Sequence, residues 1–420
     1  MWDHIPKIYN WSEENRNYLI GMTNSLLSFG QLFACLFNGF LMQKYGRRIA
    51  LILGHFICMI GSLSTFFIVN TPLMMFGRFL QGVSQGIIIT SMPLFNIEIS
   101  PNEYRGTVGG IQSSFFGLGL IISFLFGLGL KDYNENQEDN YWRFILAIPF
   151  IFSSLSLLGF LGFVRQDSLL FLYQKYKDNE KFLINKFKIY LTENQIKLQI
   201  ALLKQAEAQQ QNTQKLSVII LFSKKYKMPV LIGLMFFLTP HLNGIDILNI
   251  YSSEIINKYD SRYIANIFTI LIAVADFISC FLSLLIINKF GRKNLYMIGQ
   301  QCLAFIIILY VFLSYNDYKS YLKYILVLYK FTYGIFLANI LILYTSEILP
   351  AVGISLINTV ALVIQFGLSQ TFPTLISSDL QVEGIFLIFS IFSIIFVIIA
   401  KFYMKETKNI QIQDLANLYN

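Results

Sequence analysis

The sequence predicts an all-α polytopic membrane protein, with about eleven transmembrane helices in two pseudo-symmetric halves. Three observations carry that prediction. The chain is 55% hydrophobic and only 13% charged, with a mean hydropathy of +0.57, whereas soluble domains carry about 25% charged residues. Apolar stretches recur along it, each of the roughly 18 or more residues needed to cross about 30 Å of hydrocarbon. One motif also occurs twice. Gly46-Arg47-Arg48 is followed by Glu98-Ile99-Ser100-Pro101, and Gly291-Arg292-Lys293 is followed by Glu347-Ile348-Leu349-Pro350. A near-constant offset of about 250 residues between the copies marks an internal duplication. Duplicated helical halves are the architecture of secondary transporters, which bind substrate between the halves.

Spans are expected near 17–42, 50–69, 73–96, 106–129 and 142–164, and again near 229–256, 262–287, 294–314, 321–346, 350–376 and 384–404. The first half is read as 1–165, a helical loop as 166–227, the second half as 228–404 and a tail as 405–420. Basic charge at Lys44, Arg47, Arg48, Arg105, Arg292, Lys293 and Lys401–Lys408 falls on one side if the spans alternate, and that side is expected to be cytoplasmic. The acids Asp132, Glu135, Glu138 and Asp139 suit an outer loop. Lys258, Arg262, Lys319 and Lys323 are exceptions on the outer side. The net charge of +8 is therefore a topology signal and not a nucleic-acid signal. The four cysteines sit in expected spans without metal or disulfide spacing, so they read as small apolar side chains.

Between Gln166 and Lys227 the chain is polar and lysine-rich, with a Gln-rich run near Gln205–Gln214. Phe182, Leu183, Phe187, Leu191, Ile196, Ile200 and Leu203 recur at helical spacing. Short amphipathic helices are expected there, bracing the halves or presenting a basic face to lipid. The duplication places the counterpart of the span 229–256 mostly before Met1, so the expectation is either that the chain lacks the first helix or that a leading helix precedes the given sequence. Asn10-Trp11-Ser12 is a glycosylation sequon near the membrane.

The ordered motifs resemble the sugar porters of the major facilitator superfamily, from that family's second helix to the carboxyl end. They include Gly77-Arg78-Phe79-Leu80-Gln81-Gly82, Pro93 through Pro101 with Arg105-Gly106, and Trp142-Arg143. In the second half they include Gly244-Ile245-Asp246, Tyr251-Ser252, Tyr344-Thr345-Ser346-Glu347, Phe372-Pro373 and Lys405-Glu406-Thr407-Lys408. The resemblance implies alternating access, no bound cofactor and a monomer. It also implies gating ion pairs, in which Arg47, Arg48 and Arg105 face Glu98 and Glu347, with Arg292 in the second copy. The lattice departs from the family at Ile354, Gln43 and Asn288. The family's Pro-Glu-Ser-Pro-Arg is reduced to Gln166-Asp167-Ser168-Leu169-Leu170. Arg78, whose partner in proton-coupled relatives lies in the first helix, is expected to be unpaired.

By the same resemblance, substrate contacts fall at Gln112, Ser113, His241, Asp246, Asp276, Asn339 and Gln365. Few of these match the family's sugar-binding residues. Read from the residues alone, Asp246 and Asp276 are carboxylates inside expected spans, which costs at least about 2.5 kcal/mol each and marks function by default. Asn243, Asp246 and Asn249 form one polar stripe, and Thr269, Asp276, Cys280 and Ser283 another. Such stripes line a water-filled cavity. Histidine is the side chain whose ordinary pKa lies nearest neutrality, so Asp246, Asp276 and His241 are the proton-coupling candidates. The expected function is membrane transport of a small polar solute, hexose-like by resemblance and either proton-linked or facilitative. The alternative is a transporter-like sensor. Nothing in the polar segments supports an enzyme or a metal site.

Overall fold

The computed structural model describes residues 5–67, 70–100, 105–130, 140–176, 179–188, 191–211, 224–287, 289–316, 318–349, 351–408 and 419. The acidic loop 131–139 and the side chains of Arg105, Gln112 and Ser113 lie outside the described residues. Every regular element among them is helical. In order these are α1 (Ile5–Ile8), α2 (Glu13–Tyr45), α3 (Arg47–Phe66), α4 (Thr71–Ile99), α5 (Arg105–Gly127) and α6 (Tyr141–Gly162). Then come α7 (Leu169–Lys175), α8 (Glu180–Phe187), α9 (Glu193–Gln211), α10 (Lys224–Leu242), α11 (Ile245–Asn257) and α12 (Arg262–Ile286). The last are α13 (Arg292–Tyr315), α14 (Leu322–Tyr333), α15 (Asn339–Ile348), α16 (Ala351–Ile376) and α17 (Gln381–Tyr403).

All eleven expected spans fall on helix. Nine described helical stretches are long and apolar enough to cross a membrane, and Phe115–Gly127 in α5 is a shorter apolar one. Phe40, Leu158, Phe305 and Phe312 stand exposed, which hydrocarbon tolerates because lipid tails are as apolar as these side chains. The chain is therefore an integral, multi-pass membrane protein.

The chain forms two compact units. One holds residues 26–112 and 143–217. Its helices cross closely at glycines. A Cβ on Gly61 would lie 2.9 Å from the Gly77 carbonyl oxygen, and one on Gly82 only 2.2 Å from that of Leu27. Small residues at membrane helix crossings let backbones approach and gain dispersion contacts that apolarity alone does not supply in lipid. The expected loop helices α7 to α9 enclose their own small core of Leu169, Tyr173, Leu183, Phe187, Leu191 and Ile196. Their starts are capped by side chains: Phe171 N–H donates to Ser168 Oγ (3.3 Å) and Phe182 N–H to Asn179 Oδ1 (3.1 Å).

The other unit holds residues 1–25, 113–142 and 218–420. Its core includes Phe236 stacked between Tyr296 and Tyr344, at centroid distances of 4.4 and 4.9 Å. Two spans expected as single helices are interrupted here. The span 229–256 breaks between α10 and α11, where Pro240 precedes Gly244 at φ +78°. The span 321–346 carries a π-helical turn, Gly334–Ala338, between α14 and α15. A Cβ on Gly334 would meet Ser279 Oγ at 1.8 Å, so glycine is what lets α14 approach α12. The start of α2 belongs to this unit: Asn24 donates to Tyr251 OH (3.0 Å), and Ser25 to Gln370 Oε1 (2.8 Å).

Candidate functional site

The duplicated motif folds into the same geometry twice. In the first unit Arg47 Nη2 lies 2.9 Å from Glu98 Oε1, with both side chains largely buried. Gly46, at φ +96°, has no side chain with which to cap α3. Asp167 does so from a distant segment: its Oδ1 accepts from Arg47 N–H (3.0 Å) and its Oδ2 from Arg48 N–H (3.1 Å). A Cβ on Gly46 would sit 2.0 Å from that carboxylate, which explains the glycine. Burial pushes the Asp167 carboxyl above its ordinary range, against the pull of the backbone donors of Ser168, Arg48 and Arg47. Arg48 does not take an acid as expected. Its Nε donates to Val164 O (2.5 Å) and its Nη2 to Phe160 O (2.9 Å), because the end of α6 leaves carbonyls without helical partners.

The second unit repeats these contacts with Lys293 in place of Arg48, Glu406 in place of Asp167 and Gly291 in an extended conformation at φ −68°. Arg292 Nη2 lies 3.1 Å from Glu347 Oε1. Glu406 caps α13, its Oε1 accepting from Arg292 N–H (2.8 Å) and its Oε2 from Lys293 N–H (3.1 Å). Lys293 Nζ donates to Lys401 O (3.0 Å), near the end of α17, as Arg48 does at α6. A Cβ on Gly291 would lie 2.1 Å from Glu406 Oε2. Glu98 and Glu347 are thus each paired within their own unit. The segment Gln166–Leu170 reads as an eroded motif, yet its Asp167 keeps the capping role. The sequence signal was present in both acids, one after α6 and one after α17, but only the fold shows what they cap.

A second cluster lies inside the larger unit, around the break between α10 and α11. His241 Nδ1 pairs with Asp246 Oδ2. Asp276 does not share this pair as expected but faces a cation that sequence reasoning missed. Lys330, on α14, is almost wholly buried, with Nζ 3.4 Å from Asp276 Oδ2 and donating to Asn249 Oδ1 at 2.9 Å. Its presence was legible as a lysine well inside the expected span 321–346, where Lys323 lies near the end, since an ionisable residue at such a depth is functional by default. Cys280 Sγ approaches Asp276 Oδ1 at 3.9 Å, and Asn339 Nδ2 donates to Cys280 O at 3.0 Å. Nearby, Asn243 donates to Gln300 Oε1 (2.9 Å) and accepts from Ser393 Oγ (3.1 Å). Tyr329 OH donates to Asn243 O, which serves a carbonyl freed by the helix break. Gln365 is half-buried on α16, apart from these hydrogen bonds. In the other unit Arg78 is not bare, since its Nη1 lies 3.5 Å from Gln81 Oε1.

Interrupted membrane helices with buried charges at the interruption, in a chain built from a duplicated half, define a secondary transporter. The chain belongs to the sugar (and other) transporter family, whose profile it matches over residues 3–419. It is 23% identical over 434 residues to hexose transporter 1 of Plasmodium falciparum, covering 95% of this chain and 84% of that one. It is 24% identical over 409 residues to glucose transporter GlcP of Staphylococcus epidermidis, covering 94% and 87%. The fold is that of the major facilitator superfamily. The proton:xylose symporter XylE bound to 6-bromo-6-deoxy-D-glucose superposes with a TM-score of 0.81 at 18% identity, covering 100% of this chain and 94% of that chain. The partially occluded inward-open XylE of E. coli gives 0.80 at 17% identity, covering 96% and 91%.

Proposed function

We propose that this transporter carries a hexose-like sugar by alternating access. The observation that carries the solute class is the family match along nearly the whole chain, with relatives named for hexose and glucose. Substrate contacts are assigned to Gln112, Ser113, His241, Asp246, Asp276, Asn339 and Gln365. Arg47–Glu98 and Arg292–Glu347, with Arg48 and Arg105, are assigned to the gate, each pair holding helix ends of its own half in the arrangement from which the gate closes. The moving bodies are the halves 1–165 and 228–404, joined by the helical segment 166–227 and followed by the tail 405–420. The lysine-rich side is cytoplasmic by the positive-inside rule, which puts the carboxyl terminus inside, and the protein works as a monomer in the plasma membrane or an endomembrane.

Counterflow tests this reading. Purified protein in liposomes preloaded with unlabelled D-glucose should draw in labelled D-glucose transiently above equilibrium. Failure with D-glucose, D-fructose and D-xylose alike, from folded protein, would discard the sugar assignment. Saturable sugar binding without flux would favour the sensor instead.

A further inference from the structure

The buried charges of the larger unit do not play equal parts. Around the break between α10 and α11 the described residues place two carboxylates, Asp246 and Asp276, one ammonium, Lys330, and one imidazole, His241. Lys330 and Asp276 face each other at 3.4 Å, with side chains 3% and 7% exposed, and Asn249 takes a further ammonium proton. That pair is neutral as it stands, and separating it would strand a charge away from water, which is strongly unfavourable. The second pair is different. Among the described residues Asp246 makes its direct ion pair with the imidazole of His241, so this pair is neutral only while one proton sits on the two groups. Loss of that proton leaves a net negative charge beside the break between α10 and α11. The pair also straddles that break, with His241 in the last turn of α10 and Asp246 in the first turn of α11. Any bending at Gly244 alters its contact and its access to water.

Among the described residues, the neighbouring groups do not offer a second proton site. From α12 come Asp276 and Cys280, and from α14 come Lys330, Tyr329 and Tyr333. From α13 comes Tyr296, hydrogen-bonded to Thr239, and α15 brings Tyr344, stacked on Phe236. On α11 itself Tyr251 is held by Asn24 and the carbonyl of Ser369, and Glu254 lies two turns beyond Asp246. On α17 Glu383 accepts from Tyr259 and Ser314 at the far end. The described part of α16 carries no titratable side chain.

We infer that the His241–Asp246 pair carries the single proton exchanged during transport, and that Lys330 is a positioning residue that holds Asp276 out of that role. The proton binds to and leaves the imidazole–carboxylate pair with no other bond made or broken. This deepens the sugar-transport reading and rests on it for the solute, while the proton site can be read on the protein alone.

The test has two arms. The chain has three histidines, His4, His55 and His241, so isotope-labelled histidine signals can be assigned with His4→Gln and His55→Gln, leaving the site intact. The His241 signal should respond to pH across the range of the transport assay, and should move with Asp246→Asn but little with the double variant Asp276→Asn/Lys330→Met. A His241 signal that never changes over this range would overturn the inference. In the second arm, liposomes under an inward proton gradient are scored by the steady-state ratio of D-glucose inside to outside. One coupled proton gives about tenfold accumulation per pH unit. His241→Gln and Asp246→Asn should fall to a ratio of one whatever their exchange rate, whereas Gly367→Ala, which has open space around its Cβ position, should still accumulate. The reverse pattern, or about hundredfold accumulation in the unaltered protein, would overturn the assignment. If the unaltered protein moves no D-glucose by counterflow, the sugar reading falls and the histidine titration decides the proton site.

Discussion

Asp167 and Glu406 do at the residue scale what a helix start ordinarily asks of its own first residue. A glycine opens each helix because a larger residue would overlap the carboxylate that arrives from elsewhere. Asp167→Asn keeps one acceptor and loses the other, so it should cost about 1 kcal/mol, as removal of a helix cap does. The same variant should change the pH dependence. The Asp167 carboxyl is raised by burial, so the folded protein binds that proton more tightly than the unfolded chain does. Its contribution to stability is greatest below the ordinary carboxylate pKa and falls as pH rises through the raised value. Melting in detergent should therefore show a shallower fall over the mildly acidic range in Asp167→Asn than in the unaltered protein. An unchanged slope would mean the carboxyl is not held as described.

At the scale of the element, two interruptions matter more than the long helices around them. Gly244 combines φ +78° with a Cβ position 2.4 Å from ring atoms of Phe389. Gly244→Ala meets both backbone strain and overpacking, and should destabilise by about 1–3 kcal/mol. Gly367 on α16 has open space around its Cβ position, so Gly367→Ala is a control expected to be neutral or slightly stabilising. Equal melting temperatures for the two variants would contradict the tight packing at the break. The π-helical turn before Asn339 has the same logic, since such turns displace backbone groups at sites of function.

For the whole molecule, the duplicated end clusters make a paired prediction. Each Arg–Glu contact is charge-assisted and largely buried, so it is worth about 1.5–3 kcal/mol. If each holds its gate, Arg47→Ala and Arg292→Ala should each slow D-glucose exchange by roughly tenfold or more, with similar losses because the two clusters share one geometry. A large loss at one and none at the other would mean that only one end cluster takes part in gating.

The eleven spans, the duplication and the Arg–Glu spacing were legible because each is a local or periodic property. Hydrocarbon thickness sets a length, and a motif repeats or does not. The two helix breaks were half-legible in Pro240 and Gly244, but glycine and proline are tolerated inside unbroken membrane helices too. Lys330 was visible as a residue, and its partners were not. Whether a side chain on α14 meets Asp276 on α12 or Asn249 on α11 depends on helix rotation and crossing. The close approach at Gly334 sets these, and spacing along one helix carries no record of them. Asp167 and Glu406 show the same division. Linear order places an acid after α6 and another after α17, but only packing brings them to the starts of α3 and α13. Class, span count and repeat therefore follow from one-dimensional hydropathy and pattern. The assignment of each buried charge to its partner follows from three-dimensional contact, because an ion in a low-dielectric interior takes its role from the groups within a few ångströms of it.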